Sequence, residues 1–313
     1  MRSVASYILK GPLQASLSAA VPAMLSINAP FLLKLLLIYF SAIAVALVSL
    51  HLGAKKGLSV LFAAVIAALI VAEVLQVNEL TRLDLWNAIY LWALAWLAAW
   101  VLYSTRSLAL ALETIGLVSA IPIVVFFIVV DEPIALGLQI LEPMRLLLSD
   151  PDTGLAPQQV NEMLQSAVTI LAGSVVAYTA LGVILSLFIA RSWQARLFKP
   201  GAWQQEFRSL RLSRNEGLIA AVVIIAPMFS SWLGQPLELI LVNISVMVSL
   251  VYVIFGLAVL HGVIASSQSS SFWLVGIYLL LVLLSKVAAP LLMVLALSDI
   301  WVNYRARFEK KVN

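Results

Sequence analysis

The sequence predicts an all-α fold: a polytopic transmembrane helix bundle of about nine or ten membrane segments, the last two short and hairpin-like. Three observations carry this. Of 313 residues 63% are hydrophobic and only 11% charged, whereas soluble domains are about 45–50% apolar and about 25% charged. Long apolar stretches recur along the whole chain. The links between them alternate in the sign of their charge. One soluble core cannot hide such an excess, because much of any protein surface faces water; lipid tolerates it. There is no cysteine, which excludes disulfides and thiolate metal sites. The net charge of +4 is modest and does not predict nucleic-acid binding, which needs a clustered basic face.

A spanning helix needs about 20 mostly apolar residues. In order, the candidates are Leu13–Ile27, short and carrying Pro22; Leu35–Leu52, after Lys34; Gly57–Gln76, free of charge from Leu58 until Glu73; Leu85–Tyr103, rich in Trp; and Leu108–Val130, containing Pro122. Then come Met163–Ala190, Leu218–Leu233 with Pro227, Leu237–Ile264 and the stretch Phe272–Asn303, interrupted by Lys286 and Pro290. Lys10-Gly11-Pro12 interrupts the N-terminus where a cleavable signal would carry its apolar core, so the first segment is read as a retained helix.

Lys and Arg accumulate on the cytoplasmic side of membrane proteins. Lys55-Lys56 and Arg106 mark two short inside loops, and segment 191–216 carries six basic residues against two acidic ones. Segment 131–162 carries six acidic residues against Arg145 and is read as external. The chain is thus one integral membrane domain, 1–313, with an acidic external segment 131–162 and a basic cytoplasmic interfacial loop 191–216. Arg305, Arg307, Lys310 and Lys311 belong inside as well, which requires residues 272–303 to form a hairpin turning near Lys286–Pro290. Both termini are then cytoplasmic, in a bacterial inner membrane. In the basic loop, Trp203, Phe207 and Leu210 recur at helical spacing, predicting a short amphipathic helix in the headgroup plane. Ser213 and Glu216 form a capping box that opens the next helix. Pro157 suits the first turn of a helix predicted to run unbroken to about 190.

Trp92, Trp96 and Trp100 lie at i, i+4 and i+8 on one helical face. Such a face can form a platform for a flat organic ligand, with Glu73 and Asn243 as polar anchors; the same spacing also serves packing and the interfacial aromatic belt. Glu113, Lys286 and Asp299 are ionisable residues within apolar stretches, and such groups are functional candidates by default; snorkelling explains Glu113 and Glu73 equally, and capping or pairing with the basic tail explains Asp299. Ala15, Ala19 and Ala23, and Ala63, Ala64, Ala67 and Ala68, are small-residue faces suited to close helix contact. The two histidines, His51 and His261, make a poor metal site. No nucleophile-elbow or phosphate-loop motif occurs, so neither an enzyme nor a cofactor is expected.

Three segments carry a resemblance: Arg208-Ser209-Leu210-Arg211-Leu212 before a helix, Gly256-Leu257-Ala258-Val259-Leu260-His261-Gly262 at the end of the next, and Leu297-Ser298-Asp299-Ile300-Trp301-Val302-Asn303-Tyr304-Arg305-Ala306-Arg307 near the C-terminus. Their order resembles the uncharacterised bacterial membrane family typified by YybS, most strongly after Arg191. Asn303 stands where that family has Asp, and Ser298 where Gly is usual. The resemblance implies a remote likeness to the substrate-binding subunits of energy-coupling-factor transporters. The expected function is therefore a non-catalytic small-molecule binding or transport component in the lipid bilayer, dependent on a membrane protein partner for energy. The alternative is a structural or assembly protein that organises other envelope proteins.

Overall fold

The computed structural model describes residues 2–267, 270 and 272–312, and every regular element among them is helical. The chain opens with α1 (Arg2–Ile8) and α2 (Pro12–Leu25), followed by α3 (Phe31–Leu52), α4 (Ala54–Val74), α5 (Glu79–Thr105) and α6 (Leu108–Val129). A segment of short helices follows: α7 (Pro133–Ile140), α8 (Glu142–Leu148), one 3-10 turn and α9 (Pro157–Thr169). Then come α10 (Leu171–Phe198), α11 (Ala202–Arg208), α12 (Arg214–Ile225) continued by the 3-10 helix Ala226–Trp232, α13 (Leu237–Ser266), α14 (Phe272–Leu283), α15 (Ser285–Val302) and α16 (Tyr304–Val312).

Seven of these, α3, α4, α5, α6, α10, α13 and α15, are long and apolar enough to cross a membrane. The protein is a multi-pass membrane protein. Leu32, Val74, Leu117, Ile128 and Val282 are each more than two thirds exposed, a surface that water would not tolerate and hydrocarbon does. Inside, α3 is the hub. Ala42, Ala44, Val45, Ala46 and Leu47 are all buried, because α2, α4, α5 and α10 surround that helix. Small side chains make this crowding feasible: Ala15, Ala19 and Ala23 on α2 and Ala64, Ala68 and Ala72 on α4 are buried. The predicted small faces thus serve internal packing, although Ala63 is exposed.

Contacts fix the chain directions. Tyr39 of α3 lies against Gly182 of α10, and further on Gln194 donates from Nε2 to the Leu50 carbonyl at 2.7 Å, so these two helices run parallel. On the other side α13 and α15 run parallel: Gly256 meets Leu292, and Gly262 meets Arg305 beyond the end of α15. The intervening α14 must therefore return antiparallel to both, which is the hairpin expected from the sequence. At 12 residues, about 18 Å, α14 alone is too short for a hydrocarbon core of about 30 Å. Residues 268, 269 and 271 of the preceding link lie outside the described residues. The start of α2 packs near Leu52 and Lys56, and Arg305 donates to the Leu210 carbonyl. Both ends of the chain therefore lie at the end of the bundle that carries the Lys and Arg clusters, called here the basic end; segment 131–162 forms the opposite, acidic end.

Three expectations need correction. The reversal of the hairpin falls at Leu284, not at Lys286–Pro290. Leu284 leaves helical angles (φ −127°, ψ 45°), while Pro290 stays inside α15; a helix survives the one hydrogen bond that proline removes, but a reversal needs a residue outside the helix. Lys286 consequently sits exposed in the first turn of α15. The helix opened by Pro157 is not continuous: it breaks at Ile170 between α9 and α10. Asn243 accounts for this, as described below. Helix α12 also ends early, at Ile225, before Pro227. Helix α11 turns its aromatic side chains onto the bundle. Trp203 and Phe207 stack at 5.6 Å and pack on Phe188 of α10, and Phe207 also meets His261 of α13. The capping box at Ser213 forms as the sequence predicts, with both reciprocal hydrogen bonds in place.

Candidate anion-binding site

A cleft of about 320 Å³ opens at the basic end. Its walls come from three separate parts of the chain. Leu210, Arg211, Leu212 and Arg214 line it from the loop before α12, Phe255 and Val259 from α13, and Ala296, Asp299, Ile300 and Asn303 from the end of α15. Glycine permits this convergence. A Cβ at Gly256 would stand 2.2 Å from the Leu292 carbonyl oxygen, and one at Gly262 would stand 2.5 Å from Arg305 Nε and 2.8 Å from the Arg208 carbonyl. Real side chains do not accept such distances, so the seating of α15 and the chain beyond it on α13 requires glycine at these two positions.

Asp299 organises the cleft. Its side chain is 4% exposed, and its Oδ2 lies 3.5 Å from both Arg211 Nε and Arg305 Nη1. Its Oδ1 accepts from the Tyr304 backbone N–H at 2.9 Å. A buried carboxylate needs such partners, since desolvating a lone charge is expensive. Asn303 ends α15 in the left-handed region at φ 49°, which asparagine tolerates better than most residues. The Tyr304 hydroxyl donates to Ser298 Oγ at 3.2 Å. Asn303 and Ser298 thus both have a structural use here.

The guanidiniums are held but not saturated. At 3.5 Å the Asp299 contacts are longer than the roughly 2.7–2.9 Å typical of charge-assisted hydrogen bonds. Arg305 donates from Nη2 to the Leu210 carbonyl at 2.8 Å, yet its Nε and Nη1 are buried without a hydrogen-bond partner. Burial pulls the Arg305 guanidinium below its ordinary value and the Asp299 charge pulls it back up; an arginine stays charged regardless. Arg211 is about half exposed and Arg214 is exposed. Two guanidiniums therefore flank one carboxylate, and a third, that of Arg214, lines the same concavity. Chemically, the arrangement attracts and orients an anion.

The aromatic platform does not assemble. Trp92 is fully buried and donates from Nε1 to Ser41 Oγ at 2.7 Å; Trp96 donates to the Ala54 carbonyl at 3.0 Å and stacks on Trp100 at 5.7 Å. Two of the three indoles are thus spent on holding α5 against α3 and α4. Glu73 lies 19 residues from Ala54 along α4, about 28 Å away, where it pairs with Arg82 at 3.6 Å. Asn243 is also committed. Its Oδ1 accepts from the Gly173 N–H at 2.6 Å, and its Nδ2 donates to the Thr169 and Leu239 carbonyls. It fastens α13 to the break between α9 and α10, and only glycine at 173 allows the approach, since a Cβ there would stand 2.4 Å from the Asn243 carbonyl oxygen.

Of the other polar candidates, Lys34 pairs with Asp84 at 2.6 Å. Glu113 sits beside Glu216 and Tyr252, with its Oε1 buried and without a hydrogen-bond partner, and does not line the cleft. Among the described residues no group of three or more His, Cys, Asp or Glu side chains could hold a metal. Arg211, Arg214, Arg305 and Asn303 were readable from sequence only as topology markers or motif letters; the signal that could have singled them out is that Asp299, a charge within an apolar stretch, needs cationic partners. Comparison of the chain with family models, with curated proteins and with solved structures gives no match.

Proposed function

We propose that this protein is a non-catalytic component of a bacterial inner membrane that binds a small anionic molecule in the cleft around Asp299. One observation carries the reading: Arg211 and Arg305 flank a single buried carboxylate and a third guanidinium, Arg214, lines the same cleft, so positive charge exceeds negative there. An anion in the cleft would balance that surplus of positive charge. The positive-inside rule turns the basic end, with both chain termini, toward the cytoplasm. The ligand is then met from the cytoplasmic side, and a partner subunit would supply energy if the ligand is moved. The platform of Trp92, Trp96 and Trp100 has no part in this reading.

Native mass spectrometry of the detergent-purified protein tests it. The wild-type protein is expected to retain an anionic small molecule that the double variant Arg211→Gln, Arg214→Gln loses, because both residues are exposed enough to change without unfolding the bundle. A wild-type protein that carries only stoichiometric protein partners would favour the alternative, an assembly role, and overturn this one.

A further inference from the structure

The geometry points to a phosphate ester as the anion, with its organic part lying along the apolar wall of the cleft; this rests on the binding role proposed above. The charge is the first argument. Arg211 and Arg214 line the cleft, Arg305 stands behind Asp299, and Asp299 neutralises only one of the three. A surplus of two positive charges matches a phosphomonoester, which carries about −1.5 to −2 near neutral pH, better than it matches one carboxylate.

The second argument is shape. Guanidinium forks bind an oxyanion edge-on through two parallel N–H donors. Arg211 and Arg214 approach from separate points of the loop, one before the capping residue Ser213 and one after it. A carboxylate offers its two oxygens in a single plane; a phosphate offers three free oxygens around a tetrahedron and can present an edge to each fork. The Asn303 side chain, also on the lining, adds an amide.

The third argument is what remains of the cavity. About 320 Å³ lies at the lower end of small-molecule pockets, and Phe255, Val259, Ala296 and Ile300 form one side of it. Inorganic phosphate would fill only part of that volume, which leaves room for an organic group. The four residues belong to α13 and α15, both long and apolar enough to cross a membrane. Basic pockets between transmembrane helices bind phosphorylated lipid headgroups in this way. The same chemistry also fits a soluble phosphorylated metabolite carrying an apolar group, and the experiment separates the two sources.

The delipidated full-length protein is titrated in detergent with phosphatidic acid, phosphatidylcholine, glycerol 3-phosphate and citrate, and binding is read by native mass spectrometry. The Arg211→Gln, Arg214→Gln variant is run in parallel, with its circular dichroism and size-exclusion profile checked against wild type. The expected result is retention of phosphatidic acid, at least tenfold weaker in the variant and at least tenfold weaker for phosphatidylcholine. Arginine-dependent binding of glycerol 3-phosphate at equal affinity supports the phosphate assignment and names a soluble source. Citrate binding as tight as either phosphate ester overturns the assignment while leaving an anion site in place. Phosphatidic acid held equally by wild type and variant identifies surface lipid and overturns the assignment. Binding of none of the four probes removes both the assignment and the binding role.

Discussion

Single residues decide where the helices of this bundle break and meet. Asn243 is fully buried, yet each of its polar atoms has a partner across or along a helix. Replacement by Leu would strand the Gly173 N–H and the Thr169 carbonyl in a place water does not reach, at about 1–3 kcal/mol. The expected outcome is a Tm several degrees lower in detergent for Asn243→Leu, with a smaller loss for Asn243→Gln; an unchanged Tm for the Leu variant would refute the fastening role. From sequence this residue is legible only as an amide in need of a partner. Which partner it takes depends on a helix break that no local signal announces, since Thr169, Ile170 and Leu171 carry neither glycine nor proline. Asp299 shows the opposite case. Capping or pairing with the basic tail is readable from its place in the sequence, and both occur: Asp299 holds Arg305 and accepts from the Tyr304 N–H.

At the scale of elements, apolar length and proline placement located most helices to within a few residues, because hydrocarbon imposes one rule on all of them. The errors cluster where a helix is shorter than that rule demands. Helix α14 and the pair formed by α12 and its 3-10 continuation obey local packing instead, as Gly217 does in admitting Ile300 of α15. Helix α8, at the acidic end, allows a pH test. Its Glu142 accepts two hydrogen bonds from Arg145, at 2.7 and 2.5 Å, and this pairing holds the carboxyl below the ordinary glutamate range. A depressed carboxyl contributes order above its unfolded value, about 4.3, and loses that contribution as pH falls through the lower folded value. Amide exchange in α8, corrected for its intrinsic pH dependence, is therefore expected to quicken as pH falls below about 4, and Glu142→Gln should exchange at the faster rate already at about pH 7. A variant as slow as wild type at neutral pH would refute the pairing.

On the scale of the whole molecule, opposite charges are sorted to opposite ends, and this sorting was the most legible feature of the sequence. Runs of like charge in links require no knowledge of packing. The cleft was not legible as a cleft, because its walls are drawn from parts of the chain as far apart in sequence as Leu210 and Asn303, and because arginines that mark orientation look the same as arginines that bind. The residues that line it were visible as letters, and their meeting point follows only from the parallel course of α13 and α15.

The electrostatic sign of that meeting point is the central claim, and it can be measured without knowing the ligand. The chain has no cysteine, so Leu212→Cys places a single thiol on the cleft wall. Its rates of modification by an anionic and by a cationic methanethiosulfonate reagent of similar size are compared. A cleft with surplus positive charge concentrates anions at least about tenfold, so the anionic reagent should react about ten times faster, and the ratio should fall toward one once Arg211 and Arg214 are both changed to Gln. Equal rates at the introduced thiol in the otherwise unchanged protein, or a faster cationic reagent, would contradict the positive sign of the cleft.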